Sequence, residues 1–210
     1  MQDIHFIAVE SFNFARSGVF DDIILSAHRF MTVNPQSKIQ LSFPSLSTDG
    51  HNKGLGRRCV IFGVKQDLEK FWELNGDDIE QTCALLSPSG IAVRSLSKLV
   101  NNQPDAIGGY GIFARYRIRS QAKLIEEKVS FLKSKGLSVD IAEIKARIDQ
   151  RIKDAPKTIE TMDYFSKTDK KQVKINIAFK SVDTKEHSID ESSISTFGLS
   201  TTNIVPILKL

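Results

Sequence analysis

Apolar positions along this chain change their spacing several times, and each change marks an element. Ile4 to Val9 is a short apolar run and predicts a strand. After Gly18, apolar residues at Phe20, Ile23, Ile24, Ala27, Phe30 and Met31 recur every three or four positions, the period of a helix face. Asn34-Pro35 ends that helix. Lys38 to Phe43 alternates, with Ile39, Leu41 and Phe43 on one face, and predicts a second strand. The polar, glycine-bearing stretch from Ser45 to Gly56 reads as a loop, and Arg58 to Val64 as a third strand. Leu68, Phe71 and Trp72 predict a short helix over Gln66 to Leu74, broken at Asn75-Gly76. A fourth strand falls within Gln81 to Arg94. The order βαββαβ is the ferredoxin-like plan, a superfold that does not specify function.

Beyond it the pattern is looser. Ser95 to Gly109 reads as an irregular connection. Its Gly108-Gly109 pair reads as a plain turn rather than a phosphate loop, because no G-K-[ST] follows. Ile112 to Ser120 (IFARYRIRS) alternates strongly, so that Phe113, Arg115, Arg117 and Arg119 fall on one side of an extended segment. Ile125, Val129 and Leu132 predict one helix, ended by Gly136; Ile141, Ile144, Ile148 and Ile152 predict the next, ended near Pro156. Val173, Ile175, Ile177 and Phe179 alternate as a strand, and the tail from Thr196 holds the turn Gly198-Leu199-Ser200 and a short strand. The expectation is an α+β protein. Residues 1–95 form a ferredoxin-like domain, and residues 110–210 form a second domain with a basic linker and helices.

Composition adds boundaries. The 210 residues are 40% hydrophobic and 26% charged, ordinary for a globular protein. No apolar run reaches the roughly 20 residues that span a bilayer. The N-terminus lacks a basic region before an apolar one, so the expected location is the cytoplasm. Cys59 and Cys83 lie far apart and read as reduced and buried. No His/Cys/Asp cluster has zinc-like spacing, so no metal site and no cofactor are expected, and any catalysis is metal-free or uses loosely bound ions.

Charge is unevenly placed. Tyr110 to Lys153 holds eleven Lys/Arg and five Asp/Glu, a local +6 against +4 for the whole chain. The remainder is slightly acidic, so one region is suited to a polyanion.

Three separated motifs sharpen this. They are KIQLSFPSL (Lys38 to Leu46), RSQAK (Arg119 to Lys123) and FGLSTTNIVPIL (Phe197 to Leu208). In order, spacing and terminal position the set resembles the CRISPR repeat-processing endoribonuclease of type I-F systems. That family has a Ser-Phe-Pro-x-Leu turn, an Arg-x-Gln-Ala-Lys helix opening, and Tyr-Gly-Leu-Ser before a Val-Pro pair. The stretch 77–109 matches poorly and reads as an insertion.

The resemblance implies metal-independent cleavage of CRISPR precursor RNA at repeat hairpins. It also implies retention of the 3′ hairpin of the mature guide, membership of a surveillance complex, and no membrane partner. The substrate's 2′-hydroxyl attacks the adjacent phosphate, leaving a 2′,3′-cyclic phosphate. A histidine suits the base, since its ordinary pKa is about 6.5. Of His5, His28, His51 and His187, the family position falls on His28. The family's ribose-constraining serine falls on Ser166. Its histidine-orienting tyrosine is here Phe197, which keeps the ring and loses the hydroxyl; Tyr164 is one hydroxyl able to substitute. Arg119 has the donors for a guanine and Gln121 those for an adenine. Arg115, Arg117, Lys123, Lys128 and Lys135 complete the expected RNA contacts, and Arg147 and Arg151 are either further contacts or a solvated face. The rival reading is a hairpin-holding subunit whose catalysis has faded, which Phe197 favours.

Overall fold

The computed structural model describes residues 4–12, 20–45, 55–87, 90–116, 120–153, 158–166, 171–184, 186–187, 190 and 193–210, with residues 116, 151–153, 158–166 and 171–174 described by backbone alone. The chain divides into two compact units, Met1–Tyr116 with Thr158–Leu210, and Arg117–Lys157. The expected boundary after residue 95 instead falls between two sheets of the first unit. Both sheets contribute to one core, so packing joins what the sequence pattern separated.

The first sheet contains β1 (His5–Ser11), β2 (Ile39–Ser42), β3 (Arg58–Gly63) and β4 (Cys83–Leu85) in the order β2-β3-β1-β4. Its pairings are all antiparallel, which is the ferredoxin-like arrangement. An added β5 (Arg94–Ser95) pairs with His5 and Phe6 along β1, while β4 pairs with Val9 to Ser11. Helix α1 (Asp21–Val33) buries Ile23, Ile24, Ala27, Phe30 and Met31, the stripe its spacing predicts. Phe30 meets Phe71 of α2 (Lys65–Glu80) edge to face at 5.5 Å. Cys59 and Cys83 are free and buried.

Helix α2 does not break at Asn75-Gly76. The Asn75 amide donates to the Phe71 carbonyl one turn back, at 2.8 Å. Gly76 is buried under the Trp72 indole, where a Cβ would come within 2.9 Å of the ring. That glycine serves packing rather than termination. The expected irregular stretch after Ser95 holds α3 (Leu96–Asn102), capped by the Ser95 hydroxyl accepting from the Lys98 N–H at 3.2 Å, and a 3-10 turn over Pro104–Ala106.

The second sheet has the order β7-β8-β6-β9, with β6 (Ile107–Tyr116), β7 (Thr158–Ser166), β8 (Lys171–Val182) and β9 (Val205–Leu208). Strand β6 begins earlier than its alternation suggests. Gly108-Gly109 lies inside it, at a register shift against β9, and so forms a strand irregularity rather than a turn. Contacts from Phe20 to Phe43, Phe43 to Phe113 and Phe113 to Phe179, at 5.9, 5.9 and 5.0 Å, link α1 and the end of β2 to the second sheet.

The second unit is a helical hairpin of α4 (Gln121–Ser134) and α5 (Ile141–Lys153). Ser120 caps α4 and Asp140 caps α5, each accepting a backbone N–H. Ile144 and Ile148 are buried, but Ile141, expected in the same stripe, is 60% exposed. Its place in the first turn puts it beyond the reach of α4's apolar side.

A loop from Ser193 to Asn203 returns to the first sheet. Asn203, 1% exposed, fills its carboxamide: its oxygen accepts from the Asp190 N–H and the Ser193 hydroxyl, and its nitrogen donates to Gln40 Oε1 and the Asp190 carbonyl. The Leu41 N–H donates to the Gly198 carbonyl at 2.7 Å. Gly198 has φ +68°, and a Cβ there would stand 2.7 Å from Leu41 Cγ, so any other residue is both strained and crowded.

Asn203→Ala should lower unfolding free energy in urea by roughly 2–4 kcal/mol, because it strands the buried Gln40 amide as well as losing its own bonds. A loss under about 0.5 kcal/mol would mean that water replaces the network at no cost.

Candidate active site

His28 lies on the border of the apolar face of α1, so its backbone is fixed by the core while its ring is half-buried. The residues that meet that ring come from the other end of the chain. Ser195 to Gly198 is a tight turn, closed by the Gly198 N–H donating to the Ser195 carbonyl at 2.9 Å. The turn presents its two central residues to the imidazole. Phe197 stacks on it, with ring centroids 4.1 Å apart and planes 6° from parallel. Thr196 Oγ1 lies 3.0 Å from His28 Nδ1. The Phe197 ring is 6% exposed and also carries the Arg115 guanidinium, 4.8 Å from its centroid.

These neighbours determine the ring's electrostatics. Burial lowers the His28 pKa below the ordinary imidazole value; a hydrogen bond to the Thr196 backbone opposes this, and the charges of Arg115 and Arg29 add to the lowering. At neutral pH the imidazole is therefore neutral, with a lone pair to accept a proton, beside a fixed guanidinium.

The expected residues divide into three groups. His28, Phe197 and Arg115 are brought together. Arg115 was expected among the linker contacts, but β6 carries it opposite Ile177, with Phe113 on the same face, and so to the Phe197 ring. Ser166 is the last residue of β7, opposite Lys171 on β8, and its side chain lies outside the described ones, as does that of Tyr164. Arg117 and Arg119 lie outside the described residues, as does His51.

In the second unit, the Gln121 amide donates to Asp149 of α5. Lys123 and Lys135 are exposed, and Lys128 Nζ sits 5.4 Å from the centroid of the exposed Phe131 ring. Arg147 pairs with Glu143 one turn away on a side chain 77% exposed, which favours a solvated face there. Among the other histidines, His5 begins β1 and His187 follows β8. Among the described residues, no group of three or more His, Cys, Asp or Glu stands together as a metal site. None of the described helices is long and apolar enough to cross a membrane.

Sequence reasoning missed Thr196. Its neighbour in the motif drew attention because it departs from the family pattern, whereas a threonine in a polar tail carries no signal by itself. Asn203 and Gln40 were missed for the same reason. Only the fold makes them partners.

Comparison with known proteins bears on the whole chain. No curated protein matches it. A family model described as CRISPR-associated protein (Cas_Csy4) matches residues 2–208. The match passes through residues 77–109, the stretch expected to be an insertion. A match of this extent shows that the chain belongs to the Cas_Csy4 family of CRISPR repeat-processing endoribonucleases.

Proposed function

We propose that this protein cuts CRISPR precursor RNA at its repeat hairpins without a metal ion and keeps the 3′ hairpin of the product. The observation that carries the reading is an imidazole fixed on two sides, beside an arginine, in a chain of this family.

In the proposed reaction His28 takes the proton of the ribose 2′-hydroxyl. The 2′-oxygen attacks the adjacent phosphorus, the bond from phosphorus to the 5′-oxygen breaks, and that oxygen leaves with a proton from solvent. The products are a 2′,3′-cyclic phosphate and a 5′-hydroxyl. Ser166 constrains the reacting ribose. Charge accumulates on the phosphoryl oxygens as attack proceeds, and Arg115 is the cation beside the base able to offset it.

Recognition belongs to the basic linker and the helical hairpin. Arg119 reads a guanine and Gln121 an adenine in the stem. One hydrogen of the Gln121 amide is committed to Asp149, which fixes the direction of the carboxamide and leaves its oxygen and second hydrogen as reading groups. Lys123, Lys128, Lys135 and Arg117 hold phosphates. The protein then remains on the hairpin as a subunit of a cytoplasmic type I-F surveillance complex. The rival reading, a holding subunit without catalysis, drew its support from the missing hydroxyl at Phe197. The Thr196 hydroxyl on the same imidazole weakens that support.

Incubation with the host repeat RNA in EDTA tests the proposal. A single cut at the base of the hairpin, ending in a cyclic phosphate, is expected. Activity that only a divalent ion restores, with the RNA still folded, would contradict it. His28→Ala should lower the single-turnover rate by at least about 100-fold, as for loss of a general base. Its hairpin affinity should stay within about threefold, because phosphate contacts hold the RNA.

Because burial lowers the His28 pKa, the base form persists below the usual imidazole midpoint. The cleavage rate should therefore be flat from neutral pH downward and fall only below about pH 6.5. A fall that begins well above that value would assign the titration to another group. Gln121→Ala should weaken binding of the native hairpin by roughly 1–3 kcal/mol, and by less when the contacted base pair is already altered. Equal losses on all hairpins would make Gln121 a structural tie to Asp149.

A further inference from the structure

We propose that Thr196 is the positioning residue of the cleavage site: its hydroxyl holds His28 in the tautomer that leaves Nε2 as the base. This rests on the reading of His28 as the base and assigns the orienting role to a residue other than the ring at position 197.

Two contacts are needed to fix an imidazole, and the turn supplies both from consecutive residues. Stacking on Phe197, with planes 6° apart, sets the tilt of the ring. It leaves the ring able to rotate within its own plane, since a phenyl face has no direction to offer a nitrogen. The hydrogen bond from Nδ1 to Thr196 Oγ1, at 3.0 Å, removes that rotation. The turn has little freedom to withdraw either contact. Gly198 N–H closes it on Ser195, the Ser195 N–H donates to the Leu199 carbonyl at 2.9 Å, and the Gly198 carbonyl is held by Leu41.

The direction of the bond decides the chemistry. A neutral imidazole carries one N–H and one acceptor nitrogen. If the threonine hydroxyl donated to Nδ1, Nε2 would hold the proton and could not accept another. A threonine hydroxyl can accept from Nδ1–H as well as donate to Nδ1, and the base role selects the first sense. Nε2 is then the acceptor, on the ring edge away from the turn. A buried phenylalanine at 197 is consistent with this division. It keeps the stacking surface, and the orienting oxygen has moved one residue along the chain.

The test combines single-turnover cleavage of the host repeat hairpin with 15N spectra of the His28 ring in the RNA-free protein. Thr196 is exposed, so its variants leave the core intact. Thr196→Val keeps the shape and removes the hydroxyl. It should slow cleavage roughly ten- to a hundredfold, as for a misplaced catalytic group, without weakening hairpin binding. Its ring spectrum should change from a single Nδ1–H tautomer to a mixture. Thr196→Ser should keep both the rate and the spectrum. Phe197→Tyr should bring no gain in rate, because Nδ1 already has its partner. A wild-type rate in Thr196→Val beside an inactive His28→Ala would overturn the proposal alone. Equal losses in Thr196→Val and Thr196→Ser, or a severalfold gain in Phe197→Tyr, would also overturn it. Full activity in His28→Ala would remove the base assignment and the proposal with it.

Discussion

The candidate site depends on one attachment, the seating of the C-terminal turn on strand β2. Leu41 holds the Gly198 carbonyl through its backbone, and five residues further along the loop the Asn203 carboxamide donates to Gln40, the neighbour of Leu41. Sequence separation of about 160 residues makes this a costly contact to form, since the closure entropy of a long loop must be met first. What offsets that cost is the surrounding core: Phe113, Leu199 and Val205 are buried in the cluster that contains Leu41. Once the turn is seated, Thr196 and Phe197 have nowhere to go but against α1. The geometry around His28 thus follows from packing, and its ring needs no strain to meet its partners.

The same packing sets the protonation of the site. A half-buried ring against a phenyl face loses hydration, which disfavours its charged form, and Arg115 and Arg29 push the same way. An imidazole that stays neutral below its ordinary midpoint is the result. In the proposed reaction the arginine beside it is an asset rather than a conflict, because negative charge moves onto the phosphate while a proton moves onto the imidazole.

Much of this was legible in the chain. Helix α1 and strands β1, β2 and β3 each announce themselves by periodicity, because one face or both must be buried. The three motifs led to the family and to His28, and Phe197 proved to be the ring that stacks on it. What stayed hidden has physical reasons. Strand β7 reads Thr-Ile-Glu-Thr-Met-Asp-Tyr-Phe-Ser, with too little alternation to predict; it owes its form to backbone pairing with β8. Helix α3 is short, and its one signal, Ser95 before Leu96 and Leu99, is a capping pattern easily lost in a polar stretch. Helix α2 runs through Asn75-Gly76 because tertiary packing on Trp72 outweighs the propensity of the pair. The position of Arg115 in the site, and Thr196 as the partner of Nδ1, depend on contacts between distant segments, which no local pattern encodes.

In the proposed reaction a histidine held by this turn activates the substrate's own 2′-hydroxyl. The most direct measurement replaces that single hydroxyl by hydrogen in the nucleotide at the cut and follows cleavage and binding of the repeat hairpin. Binding should be undiminished and cleavage absent, with the unmodified RNA yielding a 2′,3′-cyclic phosphate. Cleavage of the deoxy-substituted RNA at the same bond would mean that another nucleophile attacks and would overturn the proposed reaction.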